Sequence, residues 1–184
     1  MDMAGVLIGG LAITRFGLMR CMVAGTVLAP MSNLTFSWLA TQGPSVPVLV
    51  VCLGFNNVLQ NFAGTCLIAY MSSLCSAGFT GTQYALFSSL YALPDKFIMT
   101  QSGRIIEAAA RSANSGGLLA PLLALFGSLP AGTYVTGAAR SGVAPAALGA
   151  GYFSYFIYTF LLGVSLLPVA IIVARRKARS DGAS

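Results

Sequence analysis

The chain contains tracts without a single charged residue that are too long for the core of a soluble protein. Residues 21–94, 112–139 and 141–174 carry no Asp, Glu, Lys or Arg. A helix needs roughly 20 apolar residues to cross the hydrocarbon of a bilayer. Only 8% of the sequence is charged, against about a quarter of an ordinary soluble domain. The tracts therefore predict an all-α protein that crosses a membrane several times.

Turn residues and the limits of the apolar runs divide the chain into predicted segments. In order, these are the end of a truncated transmembrane helix over 1–14, a cytoplasmic basic loop over 15–20, a stretch over 21–112 with three transmembrane helices at about 18–40, 46–76 and 82–110, an insert rich in Gly, Pro and Ala over 113–150, a last transmembrane helix over 151–174 and a basic cytoplasmic tail over 175–184. The sequence thus predicts a multi-pass topology with one long interruption.

Cations near the ends of the predicted helices set their orientation. Arg15 and Arg20 follow the first helix, and the run "RRKAR" closes the last one. Cytoplasmic loops carry an excess of Lys and Arg, and an even number of crossings between the two basic segments places both in the cytoplasm. If the short apolar run 118–129 also crossed, the tail would end outside. That run is therefore predicted as a re-entrant or interfacial element within an extracytoplasmic insert.

The sequence lacks the residues that several classes of functional site require. The chain has no His, and its four cysteines lie in apolar tracts without a CxxC pair, so we predict neither a metal nor another cofactor, and we interpret the cysteines as small core residues. Without His, no nucleophile–base pair can be built, and no enzyme is predicted. Part of the net charge of +6 comes from the tail, where it fits a membrane anchor, so nucleic acid is not an expected partner.

Three amide side chains lie at helical spacing in the third apolar tract. Asn57, Gln60 and Asn61 share one helix face with Gly64. An amide in hydrocarbon is costly unless it finds a partner, so this face is expected to point into the protein. It serves either for hydrogen bonds between helices or as the lining of an aqueous cavity that binds a polar solute, and the sequence leaves both readings open.

A second group of neutral polar side chains opens the fourth predicted helix. Its members that we interpret as lining a solute path are Gln83, Tyr84 and Ser88. Amides and hydroxyls can hydrogen-bond sugars and peptide groups without the desolvation cost of an ion. Thr80 and Thr82 are interpreted as helix caps. Asp95 is a candidate for proton coupling, because an acidic group in a membrane helix is a proton-relay candidate.

Three stretches resemble transporter sequences. "GGLAITRFG" resembles the loop signature GG-x-L-x-D-R-x-G of the major facilitator superfamily, with Thr14 in place of the usual Asp; the matching residues are Gly9, Gly10, Arg15 and Gly17. "AYMSSLCSAGFTGTQYALFSSLYALP", followed by "SGRIIEAA", resembles the AmpG-type muropeptide permeases, which carry A-x-L-S-S-L-C and then T-A-T-Q-Y-A-L-x-S-S-L. Gly81 stands where that family has Ala. "ALGAGYFSYFIYTFLLGVSLLP" resembles the last helix of the same family.

The resemblance implies a fold and a function. The fold is part of the C-terminal half of a twelve-helix major facilitator superfamily carrier, from the end of helix eight to helix twelve, with the N-terminal half as a separate or missing partner. The function is proton-coupled import of muropeptides and anhydromuropeptides, sugar-peptide products of cell-wall turnover, across the bacterial inner membrane. Two alternatives remain. One is a carrier of another solute such as acetyl-coenzyme A, which would need Lys96 or Arg104 in the cavity. The other is a membrane protein that does not transport.

Overall fold

The protein is described by a computed structural model in which residues 2–75, 80–130 and 132–181 have defined backbone and residues 3–75, 81–93, 96–130 and 132–176 have defined side chains. Its elements are α1 (Asp2–Phe16), α2 (Leu18–Gln42), α3 (Val46–Leu74), α4 (Thr80–Asn114), a 3₁₀ helix (Ala120–Phe126), α5 (Val135–Ser141), α6 (Pro145–Ser165) and α7 (Leu167–Asp181). Every regular element within these ranges is a helix, which confirms the predicted all-α class.

Glycines separate the first three helices. Gly17, with φ +85°, stands between α1 and α2, and its N–H donates to the carbonyl of Ile13 at 3.0 Å. Gly43, with φ +72°, follows α2. A left-handed backbone costs little only at glycine, which has no Cβ. The helices α1 and α2 therefore end directly before glycines, close to the turns that the sequence predicts.

The last apolar helix, predicted as one segment over 151–174, consists of two helices. α6 begins at Pro145, inside the predicted insert, and α7 begins at Leu167. Pro168, in the first turn of α7, has no N–H to donate to the turn before it. The N–H of Leu166 instead reaches the carbonyl of Gly163 at 3.2 Å. The backbone pairing of one continuous helix is thus interrupted next to the proline.

By length and composition, two stretches in the described part of the chain are able to cross a membrane. They are Val46–Leu74, which is α3, and Pro145–Arg176, which covers α6 and most of α7. The apolar part of α1 is shorter, Met3–Phe16. α2 and α4 are long enough, but they contain more polar residues, and α4 includes three exposed cations, Lys96, Arg104 and Arg111. Crossing by α2 and α4 therefore stays a prediction.

The chain folds as two compact units, and α2, α3, α4 and α6 contribute to both. The first unit comprises the described residues within Met1–Ser32, Gly54–Lys96 and Leu161–Ser184. Cys21, Phe62 and Cys66 form its buried cluster, which confirms the interpretation of these two cysteines as core residues. α1 packs on α3 through Gly5, where a Cβ would lie only 2.5 Å from the carbonyl oxygen of Val58.

The second unit comprises Asn33–Leu53 and the described residues of Phe97–Phe160. Small residues dominate its buried clusters, which are built around Ala40, Ala110, Ala113, Phe126, Ala138, Ala147, Leu148 and Ala150. A Cβ on Gly151 would lie 2.6 Å from the carbonyl oxygen of Ile106, so the backbones of α4 and α6 are in direct contact. The predicted insert thus folds against α6 as short helices; whether residues 118–129 enter a membrane stays a prediction.

Candidate functional site

A cavity of about 450 Å³ lies within the first unit. Residues of α2, α3, α4, α6 and α7 line it, and none of them is charged. Most of the wall is aliphatic, and the side chains that bring polar atoms to it are Thr26, Gln60, Tyr70 and Tyr91. A mainly apolar cavity of a few hundred cubic ångströms with a few polar groups is typical of small-molecule sites. We therefore take this cavity as the candidate functional site.

Gln60 is the amide that the fold brings to the cavity. Its Nε2 donates to the hydroxyl oxygen of Ser32 at 3.3 Å, and the Ser32 hydroxyl donates to the carbonyl of Ala29 at 2.7 Å. Ser32 is fully buried, so this contact holds α3 against α2. Within the side chains that the structure defines, the amide oxygen of Gln60 accepts no hydrogen bond. That oxygen is available to a solute in the cavity.

Glycines create the space next to Gln60. Gly64, one turn later on α3, lines the cavity, and a Cβ placed on it would meet no atom within 4 Å. Gly25 has the opposite role, because a Cβ there would lie 3.1 Å from the Cα of Ala63. Gly163 of α6 contacts the ring of Pro30 in the same way. The glycines of α2 and α6 thus allow close helix packing, while Gly64 leaves a gap.

The two other amides predicted on this face lie elsewhere. The Nδ2 of Asn61 donates to the carbonyl of Asn57 at 2.8 Å, within the same helix. The Cβ of Asn61 lies 2.8 Å from where a Cβ on Gly5 would be, so this residue faces α1. Successive helical residues point about 100° apart, and neighbouring positions can therefore face different helices. The predicted stripe divides, with Gln60 and Gly64 at the cavity and Asn61 at a helix contact.

The polar group at the start of α4 is not brought to this cavity. Gln83, Tyr84 and Ser88 are half-buried in α4 and are not among the lining residues. Tyr91, two turns beyond Gln83 and Tyr84, does line the cavity. The side chains of Asp95 and Thr80 lie outside the described residues, so the expectations of proton coupling and of an N-cap at these positions stay predictions.

The glycine and arginine motif at the end of α1 has a structural arrangement of its own. Gly9 is buried, and a Cβ there would lie 3.0 Å from the Cβ of Thr65, whereas Gly10 has open space around it. Arg15 is exposed, and its guanidinium carbon lies 5.8 Å from the centre of the Phe16 ring, within the range of a cation–π contact. Gly17 supplies the turn into α2.

Sequence reasoning missed four polar residues of the site: Thr26, Ser32, Tyr70 and Tyr91. None shows a pattern that distinguishes it from ordinary polar residues of an apolar helix. The hydroxyl of Thr26 bonds the carbonyl of Met22 at 2.9 Å, which satisfies it inside its own helix. Only the packing of α2 on α3 shows that Ser32 is the partner of Gln60. In the portion of the chain searched for metal sites, no group of three His, Cys, Asp or Glu side chains comes together.

Curated relatives of the chain are named as transporters and permeases. Over 101 residues it is 32% identical to transporter AmpG 3 of Rickettsia prowazekii, a match that covers 55% of this chain and 24% of that protein. Over 105 residues it is 26% identical to transporter AmpG 4 of Rickettsia conorii, covering 57% and 25%. Over 172 residues it is 26% identical to the anhydromuropeptide permease of Escherichia coli, covering 92% and 35%.

The chain spans about a quarter to a third of the length of these relatives. No protein-family model matches it, and no solved structure gives a significant match. Permeases act in membranes, and the two long apolar stretches agree with that setting. These relatives confirm the resemblance that the motifs predicted: the chain is similar to the AmpG-type muropeptide permeases.

Proposed function

We propose that the chain is part of a secondary active transporter with a major facilitator superfamily fold, which imports muropeptides across the bacterial inner membrane. The observation that carries this proposal is the similarity to the anhydromuropeptide permease of Escherichia coli over 92% of the chain. The charge-free tracts and the two apolar stretches are compatible with a multi-pass protein. In this proposal the chain supplies C-terminal helices and works together with an N-terminal half.

The chemistry of the first-unit cavity supports a solute rich in hydroxyl and amide groups. Its polar lining consists of the Gln60 amide and the hydroxyls of Thr26, Tyr70 and Tyr91. These neutral groups can exchange hydrogen bonds with sugars and peptide units and do not have to be desolvated as ions. Neither Lys nor Arg is among the described residues that line the cavity, so its chemistry favours a sugar-peptide over a coenzyme A derivative.

The proposed mechanism is alternating access around a solute site, as in other secondary transporters. Gln60 is the residue most directly assigned to solute contact. The other proposed members of the solute path do not line this cavity and would act elsewhere along the path: Asn57, Asn61, Gln83, Tyr84 and Ser88. Proton coupling is proposed for Asp95, since it is the acidic residue of the charge-poor part of α4.

Uptake of labelled anhydromuropeptide tests this function. Cells that lack their own permease would express the open reading frame containing this chain, either unchanged or as Gln60→Leu. We expect uptake by the unchanged protein and at least a tenfold loss in Gln60→Leu, because leucine cannot replace the amide hydrogen bonds. Gln42→Leu is the matched control, since Gln42 is exposed like Gln60 but lies at the end of α2 and does not line the cavity.

The results separate the function from the site. Absence of uptake by the unchanged protein, with the protein present in the membrane, would overturn the transport function. Normal uptake by Gln60→Leu would remove Gln60 from the solute path. An excess of unlabelled coenzyme A should leave uptake unchanged; strong competition would favour the anionic solute instead.

A further inference from the structure

The second unit contains a larger cavity, of about 640 Å³, that the sequence did not predict. It is lined by the end of α2, the start of α3, residues before and within α5, and α6. Four aromatic residues stand in its wall: Phe36, Tyr134, Tyr152 and Phe156. As in the first cavity, none of the described lining residues is charged. Volume and composition both fall within the range of small-molecule sites.

The aromatic wall is held in place by specific contacts. Tyr134 and Tyr152 stack with ring centres 5.8 Å apart, and Phe36 and Phe156 stack at 5.3 Å. The hydroxyl of Tyr134 also donates to the carbonyl of Ala40 at 2.9 Å. This bond ties the residue before α5 to the last turn of α2. The wall therefore exists before a ligand arrives, which lowers the ordering cost of binding.

Two hydroxyl groups at the cavity are available to a ligand. Tyr152 and Ser45 both line the cavity. Among the side chains that the structure defines, neither hydroxyl has a hydrogen-bond partner. The neighbouring hydroxyl of Thr133 is already used, because it donates to the carbonyl of Pro130 at 2.7 Å. The cavity thus combines aromatic surface with two unused donors and acceptors.

We propose that this cavity is a binding site for an uncharged sugar ring. The C–H faces of a sugar ring can pack on aromatic side chains, while its hydroxyl groups pair with Tyr152 and Ser45. A hydrocarbon chain would leave both hydroxyls unpaired, which is unfavourable for polar groups removed from water. An anionic ligand would find no cation in the wall. The inference rests on the proposed function only in its choice of ligand, the sugar portion of a muropeptide.

Isothermal titration calorimetry measures this binding directly. The full chain in lipid nanodiscs would be titrated with N,N′-diacetylchitobiose, an uncharged disaccharide. We expect a saturable heat of binding from the unchanged chain.

Tyr152→Phe is the informative variant, because it keeps the ring and its stacking on Tyr134 and removes only the hydroxyl. Loss of one ligand hydrogen bond should weaken binding about fivefold. Tyr158→Phe is the matched control, since Tyr158 lies on the same helix, is 45% exposed and does not line the cavity. It should bind like the unchanged chain, and equal thermal unfolding midpoints would show that both variants are folded.

Three results would overturn the inference: no saturable heat of binding with the disaccharide, equal affinity of the unchanged chain and Tyr152→Phe, or equal weakening in Tyr158→Phe. A competition arm distinguishes sugar from hydrocarbon. Dodecyl maltoside should displace the disaccharide, whereas a polyoxyethylene detergent with the same alkyl chain should not. Displacement by both detergents would assign the cavity to an alkyl chain and overturn the sugar site. Binding without uptake in the cellular assay would leave this site standing and remove the transport function.

Discussion

The buried hydroxyl of Ser32 connects α2 to the amide of Gln60 on α3, at 3.3 Å. Because Ser32 also donates to the carbonyl of Ala29, its oxygen is fixed and orients the amide. The structure thus assigns Ser32 a positioning role next to the candidate solute contact. Ser32 acts through one hydrogen bond between α2 and α3. Such bonds between helices are common contacts of polar residues in membrane proteins.

Ser32→Ala tests this role. With the hydroxyl removed, the Gln60 amide remains at the cavity but loses its orientation, so solute affinity should fall while the transport machinery stays intact. We expect KM for uptake to rise about fivefold, the value of one hydrogen bond, with little change in the maximal rate. Ser102→Ala is the control, because the Ser102 hydroxyl only bonds the carbonyl of Met99 in its own helix, at 2.7 Å. A loss of maximal rate without a change in KM would contradict a positioning role.

Filling the space at Gly64 provides a second test of the candidate site. A Cβ there meets no atom within 4 Å, and the residue lines the 450 Å³ cavity, so we expect Gly64→Leu to fold with its side chain in that space. We expect uptake to fall at least tenfold at unchanged protein level in the membrane. Gly103→Leu is the matched control, since Gly103 is also helical, with open space around it, but does not line the cavity. Normal uptake by Gly64→Leu would show that solute does not enter this cavity.

Two glycines five residues apart on α1, Gly5 and Gly10, are expected to respond oppositely to the same substitution. Alanine at Gly5 would bring its Cβ to 2.5 Å from the carbonyl oxygen of Val58, so the helices must separate, at a cost of about 1–3 kcal/mol. Gly9 contacts α3 in the same way, through Thr65 and Phe62. Gly10 has open space, and alanine there should stabilise α1 by about 1 kcal/mol through helix propensity. Thermal unfolding of Gly5→Ala and Gly10→Ala in the same detergent measures the difference, and equal midpoints would contradict the packing of α1 on α3.

The sequence predicts the helices well because their signals are local. Charge-free tracts and Gly- or Pro-containing turns predict both ends of α2 and α3 to within two residues. The helix α4 begins two residues earlier and ends four residues later than predicted. Two features differ: α6 begins at Pro145, six residues before the predicted start at 151, and the last helix is interrupted at Leu166. A single proline in the first turn of a helix is compatible with either a continuous or a restarted helix, and the pattern of apolar residues is the same in both.

The sites are less predictable because they depend on contacts between distant residues. Helical spacing places Asn57, Gln60 and Asn61 near one another, but it does not say which neighbour each one faces. Two contacts decide this. Gly5 allows α1 to pack next to Asn61, and the hydroxyl of Ser32 accepts a hydrogen bond from Gln60. The second-unit cavity was missed for a similar reason. Its short helices gain stability from partners far along the chain, such as Tyr134 with Ala40, and such pairs have no signature in the sequence.

The bond between Tyr134 and Ala40 should make the second unit sensitive to alkaline pH. Burial raises the pKa of the Tyr134 phenol above its usual value near 10, and the neighbouring Tyr152 raises it further. The folded chain therefore holds this proton more tightly than the unfolded chain. The stabilisation is complete below the unfolded pKa and is lost as pH rises through the folded one, because a phenolate cannot donate to the Ala40 carbonyl.

Thermal unfolding of the unchanged chain and of Tyr134→Phe between pH 8 and pH 11 measures this loss. At pH 8 the unchanged chain should be more stable by about 1 kcal/mol, the net value of the hydrogen bond. Above the folded pKa the difference should vanish or reverse, since phenylalanine has no proton to lose. Tyr158→Phe, with an exposed ring, should follow the unchanged chain across the range. A difference that stays constant from pH 8 to pH 11 would mean that the Tyr134 hydroxyl does not stabilise the second unit through this bond.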